Sequence, residues 1–411
     1  MGLSNICRRF LGVLCLCVGL AFAPSAWAGG YSQGIQGAAS AGVAGAMTAR
    51  PDVPEAGYYN PAGFVLQRTW GVSVGGAAIF PFIRFEEPGS TNRTEAIVDG
   101  AFPPHLHAFG RTGDFGFGMY LGVPFGSSLR WPDDWEGRFE VTSTSLTAYE
   151  AAPSVAWKPT DWLAIGAGPR FVYSTVGFRR QIDTARPEQE ASVALDASTT
   201  GVGGQVGIWG RPLEPLTVGL SWRSMIRLDF TGVARFENVP PEMQNQAQDS
   251  LATTTLFLPD RLAIGVAYEL GATGLVSLDL EWNRWSLYES FDVAFEAPDG
   301  DGPDDIEEAR NWENTLSMRL GVEFLSPIDG LAIRSGFAID PSPAPEGTVT
   351  AAQPDMDRFI TTLGVGYQAM DRLFVNLAYN YLILSRTASA ADFAGIYDGQ
   401  VHIFTLGLSF R

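Results

Sequence analysis

The chain has 411 residues, a formal net charge of −18, 46% apolar residues and 12% aromatics. So acidic a chain does not attract nucleic-acid phosphates, and the lone lysine, Lys158, leaves arginine nearly all the cationic work. The three cysteines (Cys7, Cys15 and Cys17) all lie in the first 28 residues, so the remainder offers no disulfide, thiol nucleophile or thiolate metal site.

Residues 1–28 read as a cleaved secretory signal. Arg8 and Arg9 form a basic start, Phe10 to Ala23 an apolar core, and Ala26-Trp27-Ala28 an A-x-A cleavage site. The apolar run is too short for a membrane helix, and no small residue precedes Cys15 or Cys17 as a lipid anchor would require. Residues 29–66 differ in character. Gly29–Met47 is rich in Gly, Ala and Ser without strand periodicity, and the segment continues to Asn60-Pro61-Ala62-Gly63, where the proline bars regular pairing. Its low charge and small residues point to a packed element inside something larger, not a free tail.

From residue 67 to 411, short and long connections alternate. The short ones are Thr112–Asp114, Lys158–Asp161, Arg211–Pro215, Gly271–Gly274, Ser326–Gly330 and Gln368–Asp371. The long ones are 86–102, 125–143, 181–197, 236–255, 297–311, 340–356 and 387–399. Six short turns and seven long loops separate fourteen strands, as in an antiparallel transmembrane β-barrel of the bacterial outer membrane, an all-β fold. The strands alternate with period two. Leu316, Met318, Leu320, Val322 and Phe324 oppose Ser317, Arg319, Gly321 and Glu323; Phe404, Leu406, Leu408 and Phe410 oppose Ile403, Thr405, Gly407 and Ser409. A soluble sandwich also alternates, but its dry core could not hold unpaired arginines and carboxylates. Trp157, Trp162, Trp209 and Phe374, near the short turns, are expected to form the inner aromatic girdle.

Strand 3 reads Asp114 to Pro124, with Gly116 and Gly118 on one face and Pro124 after them. These mark either a bend with lost ladder bonds, a candidate side opening, or small lumen residues and a strand end at the rim. By alternation Arg170, Arg223, Arg319 and Arg334 point inward. They are candidates for a ligand carboxylate, or for pairing with inward acids such as Asp279, Glu281 and Glu323. The loop at 236–255 suits a short helix above the barrel. The loop at 297–311 carries Asp299, Asp301, Asp304, Asp305, Glu307 and Glu308 without the spacing of an EF-hand, and reads as solvated, with divalent cations bridging it to lipopolysaccharide. Gly71-Val72-Ser73-Val74-Gly75 satisfies G-x-S-x-G, but inside a strand, not at the elbow a hydrolase needs. No catalytic residue, metal site or cofactor is expected.

Several stretches in order resemble the FadL/OmpP1/TodX family of outer-membrane transporters for long-chain fatty acids and other hydrophobic compounds. They are the small-residue start ending in Asn60-Pro61-Ala62-Gly63; Pro153-Ser154-Val155-Ala156-Trp157-Lys158 leading to Ala164-Ile165-Gly166-Ala167-Gly168; Leu258-Pro259-Asp260-Arg261; Trp282 and Trp285-Ser286; and Tyr397-Asp398-Gly399-Gln400-Val401-His402-Ile403. The resemblance implies a monomeric fourteen-stranded barrel, placed in the membrane by the barrel-assembly machinery, with residues 29–66 as a hatch in the lumen. A hydrophobic ligand would land among the long loops, move to an apolar pocket and leave sideways near strand 3. The chain departs from the family at its end, where Arg411 follows Phe410. The competing functions are a general diffusion porin and, further off, a barrel lipase or esterase.

Overall fold

The computed structural model describes residues 30–51, 53–67, 70–90, 92–184, 190–296, 303–388 and 393–411. The expected signal, Asp299 and Asp301 lie outside them. Fourteen antiparallel strands close into one barrel. They are β1 (Trp70–Glu86), β2 (Arg93–Glu95 and Pro104–Thr112), β3 (Phe115–Arg130), β4 (Ser143–Thr160), β5 (Leu163–Ile182), β6 (Ala191–Leu213), β7 (Leu216–Arg223 and Ile226–Glu237), β8 (Ser250–Leu258 and Arg261–Glu269), β9 (Gly274–Asn283 and Ser290–Glu296), β10 (Ile306–Ala309 and Thr315–Leu325), β11 (Leu331–Asp340), β12 (Asp357–Met370), β13 (Leu373–Ala388) and β14 (Gly395–Phe410). β14 returns to β1 over Val72↔Phe410 to Glu86↔Ile396, so the sheet has no free edge. Among the described residues no helix is long and apolar enough to cross a membrane.

The expected stripes hold. On β10, Leu316 and Phe324 are exposed on the outside while Ser317, Arg319 and Glu323 are buried in the lumen; on β14, Phe404, Leu406, Leu408 and Phe410 face out. An apolar exterior of this kind is solvated by lipid. Two details differ. Trp157 and Trp162 lie exposed in the girdle, but Trp209 is buried and points inward, where its indole N–H donates to the Ala49 carbonyl at 3.1 Å. Phe374 shares the inward register of Asn376 and lies under the Arg411 guanidinium, 4.3 Å from its ring centroid. Strand 3 also does not end at Pro124; it continues to Arg130.

Four neighbouring strands break at one height. β7 is interrupted at Ser224-Met225 and β8 at Pro259-Asp260, β9 by a 3-10 turn that begins at Trp285, and β10 by an irregular stretch that carries Trp312. Pro259 has no N–H to donate, and Asp260 bridges the breaks: Oδ1 accepts from the Met225 N–H at 3.1 Å and its carbonyl from the Arg284 N–H at 2.9 Å. The break shifts the phase of burial. Thr217, Ser221 and Arg223 face inward below it, Ile226, Leu228 and Phe230 above it.

The N-terminal segment lies inside the barrel. It folds as α1 (Ala38–Ala41), α2 (Ala56–Tyr59) and a 3-10 helix (Pro61–Leu66), and almost every residue from Gln36 to Val65 is buried. With so little regular structure, its main-chain groups need outside partners, and barrel side chains supply them. Asp279 Oδ2 accepts from the Met47 and Thr48 N–H groups at 2.8 Å each. Asn380 donates to the Ala41 carbonyl, Thr362 to Gly42, Thr217 to Ala49 and Arg223 to Tyr58, at 2.8 to 3.1 Å.

Candidate functional site: the lumen and a gap in its wall

At the turn end of the lumen the inward arginines are tied into ionic pairs. Glu150 is held by Arg170 (3.1 and 2.7 Å) and by Arg223, which also donates to Gln205 Oε1 at 2.7 Å. Arg319 lies 3.7 Å from Glu281 and 3.9 Å from Asp340, and donates to the Ala44 carbonyl. Arg334 bonds Glu323 at 2.5 Å and Asn376 at 2.8 Å, and Arg50 of the segment reaches the same Glu323 at 3.1 Å. All four arginines expected to point inward do so; the structure gives each of them carboxylate partners among the inward acids.

Asn60, Pro61, Ala62 and Gly63 come together as one turn. Asn60 Nδ2 donates to the carbonyls of Thr48 and Ile208, 2.9 Å each, and its Oδ1 accepts from the Ala62 N–H at 3.1 Å. Pro61 opens the 3-10 helix, where its missing N–H costs nothing. The motif stitches two stretches of the segment to β6.

The side-opening candidates separate. Gly116 and Gly118 sit in unbroken ladders, opposite Arg111 and Phe109 on β2 and Ala156 and Ser154 on β4. They are glycine for another reason: a Cβ at either would run into Phe64 or Val65 of the segment. Pro124 instead lies at a real break. The β2–β3 ladder stops at Leu106↔Leu121, and the next bond above it joins the Ile97 N–H to the Arg130 carbonyl at 2.7 Å. The β3–β4 register slips between Gly122 and Phe125. In the gap, β3 pairs with the start of the N-terminal segment. The Gln33 N–H donates to the Pro124 carbonyl at 2.8 Å, the Gly126 N–H to the Tyr31 carbonyl at 2.9 Å, and Ser32 faces Phe125 in an antiparallel bridge.

Behind the gap is a cavity of about 370 Å³. Its lining includes buried Leu382 and Ile403 on the lumen side, and Phe102 and Tyr149, both exposed on the outer face, so it passes through the wall. A second cavity of about 400 Å³ lies toward the loops, against Phe178, Leu195, Leu256 and Ala351. The arginines that line these two cavities are Arg358 and Arg310, which sequence reasoning missed. Arg358 shares the inward parity of Ile360 and Thr362, so alternation could have found it. It donates to the carbonyls of Gly30 and Ser32 and pairs with Asp355.

The loop at 236–255 holds one short helical element, the 3-10 turn Pro241–Met243. Ser73 lies within β1, accepts from Ser409 Oγ at 2.9 Å and faces His107 across the ladder, while His107 Nε2 sits on the Gln36 carbonyl at 2.8 Å. No strand-to-helix elbow is present at Ser73, so the hydrolase geometry is absent there. Among the described residues no His, Asp or Glu cluster could hold a metal ion.

A closed barrel with an apolar outer band, short turns at one end and long loops at the other is an outer-membrane protein, here one with a filled lumen. Residues 19–411 match the family described as outer membrane protein transport protein (OMPP1/FadL/TodX), and the chain belongs to it. The chain is 25% identical to outer membrane protein P1 of Haemophilus influenzae, over 72% of this chain and 68% of that one. It is 22% identical to a long-chain fatty acid transport protein of Salmonella typhi, over 75% and 77%. In fold it is similar to a Pseudomonas aeruginosa FadL homologue (TM-score 0.82, 19% identity, 93% of this chain and 99% of that one). It is also similar to the Ralstonia pickettii toluene transporter TbuX (TM-score 0.72, 16% identity, 91% and 98%). The family carries hydrophobic compounds across the outer membrane, and its members are transporters and not enzymes.

Proposed function

We propose that this protein takes up a long-chain fatty acid or another hydrophobic compound by gated, passive transport, with residues 29–66 as the hatch. Ligand caught among the long loops enters the loop-side cavity, passes to the wall cavity and leaves between β2 and β3. The observation that carries this reading is the exchange of partners at β3. Where β2 withdraws, the missing ladder bonds are made by Tyr31 and Gln33, so moving a few residues of the hatch would open the wall. The apolar lining suits such a cargo, since burial is worth about 25 cal/mol per Å² of apolar surface. A fatty-acid carboxylate reaching the wall cavity would meet Arg358, whose bonds to the Gly30 and Ser32 carbonyls it would contest. A diffusion porin needs a wet open lumen, and the ionic pairs under the buried segment speak against that reading.

The test is a reversible staple. Directly opposed antiparallel residues have Cα atoms roughly 4.5–5.5 Å apart, inside the window for a disulfide. Ser32→Cys with Phe125→Cys should form one. Expressed in cells lacking their own fatty-acid transporter, the oxidised variant should lose most oleate uptake and regain it on reduction. Equal uptake in both states would refute movement of the hatch at β3.

A further inference from the structure

Tyr31 is the one aromatic residue of the segment that lines both cavities, standing between the loop-side space and the space behind the wall gap. Its ring is buried in an aromatic cage. Trp285 lies 4.8 Å away at 81°, Trp312 at 5.8 Å, Phe125 at 6.3 Å and 65°, and Tyr288 at 6.5 Å and 78°. Three of these contacts are edge-to-face, the arrangement a flat ring gains from and an alkyl chain does not. The hydroxyl has its own acceptor, the Phe257 carbonyl of β8, at 2.7 Å. The cage comes from the breaks in β9 and β10 and from the kinked part of β3.

We infer that the cage is a binding site for a small phenol, and that Tyr31 is its built-in occupant, a stopper that an aromatic ligand replaces on the way to the wall gap. The side chain of tyrosine is p-cresol joined to a backbone. Its surroundings therefore define the recognition: three aromatic rings set steeply to its plane, a fourth tilted against it, and one backbone acceptor for the hydroxyl. The inference rests on the transport reading and narrows it to a chemical class. An apolar cavity of about 150 Å³ is enough to hold a benzene ring in a folded protein, so a cage emptied of its tyrosine has room for one.

The experiment measures binding of p-cresol, toluene and oleate by calorimetry to the refolded full chain in detergent, with protein-free micelles as blank. Tyr31→Ala should bind p-cresol on the order of tenfold more tightly than the parent protein, a change of about 1.4 kcal/mol. Toluene, which lacks the hydroxyl, should gain less, and oleate should not change. Adding Trp312→Ala should abolish the gain. Tyr31→Phe keeps the ring but not the bond to Phe257, and should bind p-cresol a few-fold more tightly, which keeps the idea testable if Tyr31→Ala does not refold. If oleate binds throughout but neither variant gains p-cresol selectively, the phenol site is wrong while the transport reading stands. If no variant binds any of the three compounds, the transport reading fails and takes the site with it.

Discussion

The two halves of the lumen are built from the same alternation and carry opposite chemistry. At the turn end the inward stripe is Arg170, Arg223, Arg261, Glu281, Arg319 and Glu323; at the loop end it is Leu195, Phe230, Leu256, Leu382, Leu384 and Ile403. The difference follows what each half faces. The N-terminal segment brings main-chain N–H and C=O groups into a buried position, and each one left unpaired is costly, so the wall around it is polar. The loop-end half surrounds the two cavities, where few main-chain groups of the segment need partners, so its wall is mostly apolar. The strand break at Ser224-Met225 and Pro259-Asp260 marks the boundary between the two.

The contrast is broken most severely at Glu150, buried between Arg170 and Arg223. Glu150→Ala leaves two guanidinium groups in the lumen without their carboxylate, and loss of one partner of a buried pair costs about 3–5 kcal/mol. Urea unfolding of the refolded barrel in detergent should show that loss. Leu382→Ala, at the edge of the wall cavity, should cost about 2 kcal/mol, the low end for such a truncation, because space already adjoins it. Equal losses would mean that the polar half is not specially dependent on pairing.

A smaller effect is expected from crowding the segment. A Cβ at Gly219 would collide with the Thr48 carbonyl and Ala49, whereas one at Gly110 meets nothing within 4 Å. Gly219→Val should cost about 1–3 kcal/mol and displace the segment, raising single-channel conductance in planar bilayers; Gly110→Val should do neither. Asn60→Ala removes the bonds to Thr48, Ile208 and Ala62. It should cost about 1–2 kcal/mol and speed amide exchange around residues 47–62, with the barrel strands unaffected.

Much of this was legible in the chain. Strand number, turn positions and facing follow from local alternation, which a strand enforces on every residue, and the Asn60–Gly63 turn declared itself through proline. Trp209 was legible too: it shares a face with Gln205 and Gly207, and nearness to a turn was the weaker signal. The phase shift in β7 and β8 was not, because it arises where four strands break together. Nor was the job of Leu258-Pro259-Asp260-Arg261, visible as a motif and explained only by its bonds to Met225 and Arg284. The place of Tyr31 depends on a partner more than two hundred residues away, and no local pattern encodes such a pairing. The same holds for Gly116 and Gly118, whose size answers to Val65 and Phe64 of the segment.

The mildest expected effect concerns the upper edge of the wall gap. There Asp99, between the two pieces of β2, accepts two bonds from Arg130 at the end of β3, at 2.6 and 2.9 Å. The hydrogen bonds from Arg130 hold the Asp99 carboxyl below its usual range. A depressed carboxyl pKa contributes stability above its unfolded value, about 3.9, and loses it as pH falls through the folded one. The clamp should therefore be intact at neutral pH and weaken only in strong acid. Both groups are exposed, so the global stability should hardly move. The local reporter is the Ile97 N–H, which donates to the Arg130 carbonyl just beneath the clamp. Its exchange, corrected for the intrinsic pH dependence, should accelerate in acid, and Asp99→Asn should produce the same acceleration at neutral pH. If acid and the Asn variant leave this amide as protected as before, the gap is closed at its upper edge by backbone pairing alone. The contrast between the halves would then rest on the segment and not on the loops.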